Sequence, residues 1–133
     1  MCQQAYRDDL EITDETRLFR RVHPTQLVRD DDTGFSRVSS GVFRDQELSI
    51  DIESVLVLHN ETAEYCLRNY PDHKLVSLMA RDGRNHQQSV CHDPQFDNPS
   101  HGLIYGTKTG RIRDSLRDAA LWVIPPLAPT HGA

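Results

Sequence analysis

An apolar stripe at helical spacing near the C-terminus is the feature that most constrains the fold of this chain. Its members stand at positions i, i+4, i+7, i+8 and i+11, and they are Ile112, Leu116, Ala119, Ala120 and Val123. This spacing places them all on one face of an α-helix. Thr109 precedes the stripe as a capping residue, and Pro125 and Pro126 end it. A helix over 109–123 needs another layer to cover that face, and Trp122 is expected to anchor it there.

Shorter apolar runs predict that this layer is a β-sheet. The run Leu48–Ser49–Ile50–Asp51–Ile52 has an apolar side chain at every second position, which is typical of a half-buried strand. Further strands are predicted at 17–22, 37–43, 74–80, 87–91 and 101–105, with an aspartate-rich turn at 30–34. Residues 53–59 fit either a strand or a short buried helix. Asn60 is a candidate cap for a helix through residue 69, which Pro71 ends.

These elements predict an α+β fold with a mixed, mainly antiparallel sheet of about five strands and the C-terminal amphipathic helix on one face. A length of 133 residues fits one domain. We expect an acidic N-terminal arm at 1–16 that is loose unless something docks on it, a single domain at 17–124, and a tail at 125–133. The basic start of the last helix is expected beside the loop that contains Asn98 and Pro99.

Composition narrows the classes of function. The formal net charge is -5, so there is no global attraction to nucleic acid or to a membrane surface. Cys2, Cys66 and Cys91 are odd in number and widely spaced, which argues against a disulfide framework and for a reducing, cytoplasmic compartment. There is no apolar run of roughly 18 residues, and the acidic N-terminus is unlike a signal peptide.

One candidate site is the junction between the predicted strand 101–105 and the last helix. The free N–H groups of a helix N-terminus attract anions. Lys108, Thr109, Gly110 and Arg111 are therefore candidate ligands for a phosphate or carboxylate. The glycine spacing does not form a phosphate-binding loop of the Gly-Lys-Ser/Thr type. A capped helix with a solvated basic face explains the same residues.

A second candidate centres on His101. Imidazole acts as a general base near neutral pH, and Asp93 is able to orient it. Cys91 and His92 are neighbours, so on a strand they face opposite ways and make a poor nucleophile–base pair. No metal site is predicted, because no Cys-x-x-Cys or His-x-x-x-His spacing is present. The alternative is that Asp93 caps a turn and His101 bonds within its loop.

Two further groups of polar residues have both functional and structural interpretations. The first group has the order of residues found in nucleotidyltransferases, which hold a triphosphate on a Gly-Ser loop and magnesium on two carboxylates. Its members are Ser39–Ser40–Gly41, Asp51 and Glu53. The structural interpretation is an exposed polar strand face. The second group is a basic cluster near the first strand, made of Arg17, Arg20, Arg21 and His23. Its functional interpretation is the steering of an anionic ligand, and its structural interpretation is pairing with the many nearby aspartates.

Several strings of the chain resemble a family of small uncharacterised bacterial proteins. They are Leu18–Phe19–Arg20–Arg21–Val22–His23–Pro24, Ser39–Ser40–Gly41–Val42–Phe43, Leu48–Ser49–Ile50–Asp51, and the block from Asp93–Pro94 through Asn98–Pro99–Ser100–His101 to Gly106. The resemblance spans about residues 17–123 and implies a bacterial, cytoplasmic, single-domain protein.

A second resemblance is to the RES-type ADP-ribosyltransferase toxins, which bind NAD. Arg20 is similar to the arginine of their first strand, Glu53 to their glutamate in an apolar run, and Ser39 or Ser40 to their second polar motif. The chain departs from that family in being short and in lacking its glycine-arginine-tryptophan signature.

The function expected from the sequence is a non-enzymatic interaction module, a small subunit that acts with a larger protein partner and needs no cofactor. The alternative is an enzyme that uses NAD or another nucleotide, with Arg20, Ser40, Glu53 and His101 as catalytic residues. Neither a membrane nor a nucleic acid is expected as partner, whereas an anionic small molecule remains open. Convergence of Arg20, Ser40 and Glu53 around a concave site favours the enzyme, and their dispersal favours the module.

Overall fold

The computed structural model of the protein describes residues 7–126. The first part of the predicted arm, Cys2, and residues 127–133 of the predicted tail lie outside the described residues. None of the described helices has the length and apolar character that crossing a membrane requires.

A six-stranded sheet forms the centre of the molecule, and every pairing between its neighbours is antiparallel. Its strands lie in the spatial order β6-β7-β4-β1-β5-β8. They are β1 (Arg17–Val22), β4 (Glu47–Ile52), β5 (Lys74–Met79), β6 (Ser89–His92), β7 (His101–Tyr105) and β8 (Leu121–Ile124). A separate hairpin contains β2 (Leu27–Arg29) and β3 (Ser36–Val38), joined by a turn in which Gly34 adopts a φ of 75°.

Residues 7–126 also contain three short α-helices and three 3₁₀ helices. The α-helices are α1 (Glu53–Leu58), α2 (Ala80–Arg84) and α3 (Gly110–Ala119), and the 3₁₀ helices are Pro24–Gln26, Ser40–Phe43 and Ala63–Leu67. The predicted α+β class, with a mainly antiparallel sheet and an amphipathic C-terminal helix on one face, is confirmed. The sheet is antiparallel throughout, however, and has one strand more than expected.

The alternation of β4 separates the two faces of the sheet. Leu48, Ile50 and Ile52 are buried in the main core together with Leu116 of α3. Ser49 and Asp51 therefore project from the opposite face. That face carries a smaller apolar cluster built from Phe19, Leu56, Cys66 and Leu75. The polar residues of β4 thus lie on the side of the sheet that α3 does not cover.

The last predicted helix is shorter than its apolar stripe. It ends at Ala119, because Ala120 turns to an extended conformation, and Trp122 and Val123 belong to β8. The run 121–124 is continuously apolar, so it fits a strand as well as a helix. Pairing with the edge of β5 gives its backbone hydrogen-bond partners, and this tertiary gain ends the helix early.

Three local predictions are also corrected, and the open choice between strand and helix at 53–59 is resolved. The strand predicted at 37–43 stops at Val38, and the chain then forms the 3₁₀ helix Ser40–Phe43, in which Ser39 Oγ accepts a hydrogen bond from the Gly41 amide. Residues 53–58 are helical. Asn60 does not cap a helix but follows α1 with a φ of 57°, and the next helix begins after Thr62.

Contrary to the prediction, the start of the last helix is not beside the Asn98–Pro99 loop. Lys108 lies at the Tyr105 end of β7, and that loop lies at the His101 end, a strand length away.

Residues 7–16 of the predicted arm are bonded to the domain. Asp8 Oδ1 accepts hydrogen bonds from the Val90 amide at 2.9 Å and from Arg84 Nε at 3.0 Å. Asp14 binds Arg84 NH1 at 2.7 Å, and Ile12 is buried in the main core. Asp8 and Asp14 therefore act as partners for Arg84, and Asp8 also binds the edge of β6.

Candidate active site

A polar cavity of about 210 Å³ opens on the face of the sheet opposite α3. Arg21, Ser49 and His101, from β1, β4 and β7, line its floor. Residues 68–70 form one wall, and residues 95, 97 and 98 of the loop between β6 and β7 form the other. The cavity therefore lies where three adjacent strands meet two loops, and its side chains are mostly polar.

The cavity lies where β1 and β4 stop pairing. Their pairing consists of Leu18 with Ile52 and Phe19 with Asp51, although both strands continue further. Beyond that point the Ser49 carbonyl accepts a hydrogen bond of 3.0 Å from Arg20 NH1 instead of from the β1 backbone. Arg20 approaches from the face of α3, and its Nε donates to the Val42 carbonyl. Arg20 thus supports Ser49 from behind the sheet.

His101 lies between a hydroxyl and an acid. Its Nε2 is 3.2 Å from Ser49 Oγ, and its Nδ1 is 2.9 Å from the Asp93 backbone carbonyl and 3.2 Å from Asp93 Oδ2. A carbonyl oxygen only accepts, so Nδ1 carries the proton in the neutral ring. The lone pair of Nε2 is then free to accept the Ser49 proton. This is the arrangement of a serine activated by an oriented histidine.

Asp51 ties the loop between β6 and β7 to the sheet. Its carboxylate is almost fully buried, and Oδ1 accepts hydrogen bonds of 2.9 Å from Asn98 Nδ2 and from Ser100 Oγ. Its Oδ2 lies 3.5 Å from Arg21 NH1. A buried carboxylate needs such partners, so these contacts hold the loop and Arg21 at the cavity.

The two cysteines of the described chain are not nucleophiles in this setting. Burial raises the pKa of the Cys66 thiol, and the neighbouring Asp51 carboxylate raises it further. Burial, with help from Asp8 and Asp9, raises the pKa of Cys91 to about 11. Both are free thiols. Because the thiolate is the reactive form, Ser49 is the more favourable nucleophile at neutral pH.

The structure does not bring together the four residues predicted to be catalytic. His101 lines the cavity, whereas Arg20 lies on the opposite face of the sheet. Ser40 begins the 3₁₀ helix that packs against α3. Glu53 begins α1, where its two carboxylate oxygens accept from Arg17 Nε at 3.0 and 3.1 Å. Of the four, His101 contacts the Ser49 side chain, and Arg20 contacts only the Ser49 backbone carbonyl.

The predicted anion site has the structure of a helix cap. The Lys108 ammonium is buried and donates to the carbonyls of Gln46, Ile104 and Gly106, which uses all its donors. Burial lowers its pKa to about 8. Thr109 is the predicted N-cap, and its hydroxyl accepts from the Ile112 amide. Gly110 and Arg111 begin α3 and are exposed, so Arg111 is the cation that faces solvent.

Sequence reasoning found part of this site and missed its centre. It paired His101 with Asp93 and singled out Arg21 and Asp51, but it did not identify Ser49. The available signal was the alternation of β4, which puts Ser49 and Asp51 on one face between buried apolar residues. What it lacked was the register that places His101 opposite Asp51 on the neighbouring strand.

Within residues 7–126 no group of three or more histidine, cysteine, aspartate or glutamate side chains is arranged to hold a metal ion. No family model, no curated protein and no solved structure matches the chain. The geometry of the cavity is therefore the basis for inferring a function.

Proposed function

We propose that the protein is a hydrolase that cleaves a small ester at this cavity, with Ser49 as nucleophile, His101 as general base and Asp93 as the group that orients His101. One observation carries the proposal. The His101 ring lies within hydrogen-bond distance of Ser49 Oγ through Nε2 and of Asp93 through Nδ1. The side chains come from β4, from its neighbour β7 and from the loop between β6 and β7, so the fold itself assembles them.

The chemistry follows from these positions. Ser49 gives its proton to His101 Nε2 while Oγ attacks the ester carbonyl carbon. His101 then passes that proton to the leaving alkoxide as the C–O bond breaks, which leaves an acyl group on Ser49. Water repeats the sequence with His101 again taking the proton, and it releases a carboxylic acid and restores Ser49. Asp93 stabilises the imidazolium in both halves.

The size of the cavity limits the substrate. Its 210 Å³ corresponds to about seven liquid water molecules. Sites that enclose drug-sized ligands are larger, at about 300–1,000 Å³. The volume supports a short acyl group with its reacting carbonyl rather than a whole dinucleotide. An NAD-using reaction is not supported, because Arg20, Ser40 and Glu53 do not line the cavity.

The test is hydrolysis of 4-nitrophenyl acetate by the wild-type protein and by Ser49→Ala and His101→Gln. Either substitution is expected to reduce kcat/KM by roughly 10³-fold or more. Mass spectrometry of the protein trapped with a fluorophosphonate is expected to show the adduct on Ser49. Ser54→Ala, at an exposed position of α1, is the matched control.

Equal activity of Ser49→Ala and wild type would overturn the proposal, as would an adduct on another residue. Thermal unfolding of each variant shows whether a loss of activity reflects a loss of fold. The two exchanges are small, and Ser49 is half-buried, so we expect melting temperatures close to that of the wild type.

Association with a larger protein is the second candidate function, and exposed apolar side chains favour it. Val57 and Leu58 at the end of α1 are 63% and 81% exposed, and Phe96 in the loop between β6 and β7 is fully exposed. A neighbouring cavity of about 140 Å³ is lined by His59 and Glu61 on one side and by residues 98–100 of that loop on the other. Exposed apolar side chains of this kind are typical of protein contacts.

Leu58→Asp with Phe96→Ser is expected to remove a stoichiometric partner that co-purifies with the wild-type protein. Leu121→Ser is the control, since Leu121 is also exposed but lies on β8 at the far edge of the sheet. The same proteins recovered with all three forms would count against this candidate. For either function we propose a reducing compartment such as the cytoplasm, which the buried free thiols of Cys66 and Cys91 support.

A further inference from the structure

We infer that the ester cleaved at Ser49 carries a carboxylate and that Arg21 binds this group. The inference rests on the proposed function for the reaction, but it concerns a separate contact, namely the recognition of the part of the substrate that does not react. Two arginines line the cavity. Within the described residues, Arg21 is the one of the two that donates no hydrogen bond, and the inference rests on its guanidinium.

Arg21 is held firmly and yet has free donors. Its side chain is 27% exposed, and its guanidinium carbon lies 4.1 Å from the centre of the Tyr70 ring. Within residues 7–126 it donates no hydrogen bond, and the nearest acid oxygen, Asp51 Oδ2, is 3.5 Å away. A guanidinium has five N–H donors, and donors removed from water are normally bonded. Stacking on Tyr70 leaves the edge of the group open toward the cavity.

The second arginine of the cavity is occupied. Arg68 NH1 and NH2 donate to the carbonyls of Tyr65 and Asp97, each at 2.9 Å, and its guanidinium stacks on Tyr65. Arg68 therefore connects one wall of the cavity to the other. Arg21 is left as the group that recognises an anion.

The charges favour a carboxylate over a phosphate. Asp51 lies beside Arg21, and Asp97 lines the cavity. With Arg68 also present, two guanidiniums face two acids, so the cavity has no surplus positive charge and a carboxylate costs less to bind there than a phosphate dianion. A carboxylate also fits the fork of a guanidinium through two parallel hydrogen bonds. The predicted substrate is thus a short ester with one free carboxylate, such as a monoester of a small dicarboxylic acid.

A matched pair of substrates tests the inference. The 4-nitrophenyl monoester of succinic acid carries a carboxylate, and 4-nitrophenyl butyrate has an acyl chain of the same length without it. The wild type is expected to prefer the first by roughly 10- to 100-fold in kcat/KM, which is the usual effect of a hydrogen bond to a charged group. Arg21→Met is expected to raise KM for the succinate ester and to remove the preference, so that the ratio of kcat/KM for the two esters falls to about one.

Arg21→Lys keeps the charge but lacks the fork, so it is expected to restore part of the preference. Arg37→Met, an exchange of an exposed arginine on β3, is the control and should behave as wild type. If Arg21→Met fails to fold, competitive inhibition of the wild type by succinate, but not by butanol, gives the same information. Equal kcat/KM for the two esters, or an unchanged preference in a folded Arg21→Met protein, would overturn the inference.

Binding to the Ser49→Ala protein separates this inference from the proposed hydrolysis. Calorimetry with succinate is expected to show binding that Arg21→Met abolishes. If no ester is cleaved but this binding is found, the hydrolase is wrong and the carboxylate site stands. If both esters are cleaved equally and succinate does not bind, the hydrolase stands and the carboxylate site is wrong. Tighter binding of inorganic phosphate than of succinate would replace the carboxylate with a phosphate.

Discussion

The two faces of the sheet are built on different principles. The face under α3 is covered by apolar side chains and by the half-buried Arg20, which donates to the carbonyls of Val42 and Ser49. The opposite face combines a small apolar cluster with Arg21, Ser49 and His101, whose polar atoms point into a cavity. The first face contributes most of the apolar packing, whereas the second has less apolar packing and more polar groups. Stability and function should therefore respond to substitutions on different sides of the same strands.

Leu116→Ala on α3 is expected to have the largest effect on stability. Leu116 is fully buried in the main core, and removing its side chain leaves a cavity, which should cost about 4 kcal/mol in the free energy of unfolding. Ester hydrolysis per folded molecule should not change. Urea unfolding followed by circular dichroism measures the first quantity, and Leu121→Ala at an exposed site of β8 is the control. Lost hydrolysis in a fully folded Leu116→Ala protein would show that the faces are not independent.

Asp51→Leu is expected to cost less stability and more activity than Leu116→Ala. It leaves Asn98 Nδ2 and Ser100 Oγ without their acceptor and Arg21 without its nearby acid, at about 3 kcal/mol. Because these contacts hold the loop that carries Asp93, hydrolysis should fall by at least about tenfold. Asp51→Asn should lie between this variant and wild type. An active Asp51→Leu protein would show that the loop is held by other contacts.

Lys108 offers a test through pH. Its pKa in the folded protein is about 8, below the value of about 10.4 in an unfolded chain. Between these values the unfolded state binds more protons, so this group makes the protein more stable as pH rises from 8 to 10. The gain should be about 2 kcal/mol and absent from Lys108→Met. Urea unfolding at pH 7, 8, 9 and 10 gives the free energy of unfolding as a function of pH for the wild type and for Lys108→Met. The same dependence in both proteins would contradict the lowered pKa of Lys108.

Much of the fold was predictable because it depends on local patterns. The strands at 17–22 and 101–105 follow from short runs that Pro24 and Gly106 end, the Thr109 cap follows from capping chemistry, and the structure has all three. The early end of α3 was not predictable, because β8 gains its partners from β5, which is distant in sequence. The cavity is a case of the same kind. Ser49, Asp93 and His101 meet only through the pairing of β4 with β7 and the loop that Asp51 holds.

The smallest expected effect comes from Glu53, which the sequence proposed as catalytic and the structure places outside the cavity. Its partner Arg17 and Glu53 itself are 43% and 32% exposed, and a pair this accessible contributes little. Glu53→Gln should therefore change the free energy of unfolding by about 0.5 kcal/mol and leave kcat and KM for both esters unaltered. Arg17→Gln should match it, since each variant removes the same pair. A large loss of kcat in Glu53→Gln, with Arg17→Gln fully active, would place the chemistry near α1 and remove the reason for assigning it to Ser49 and His101.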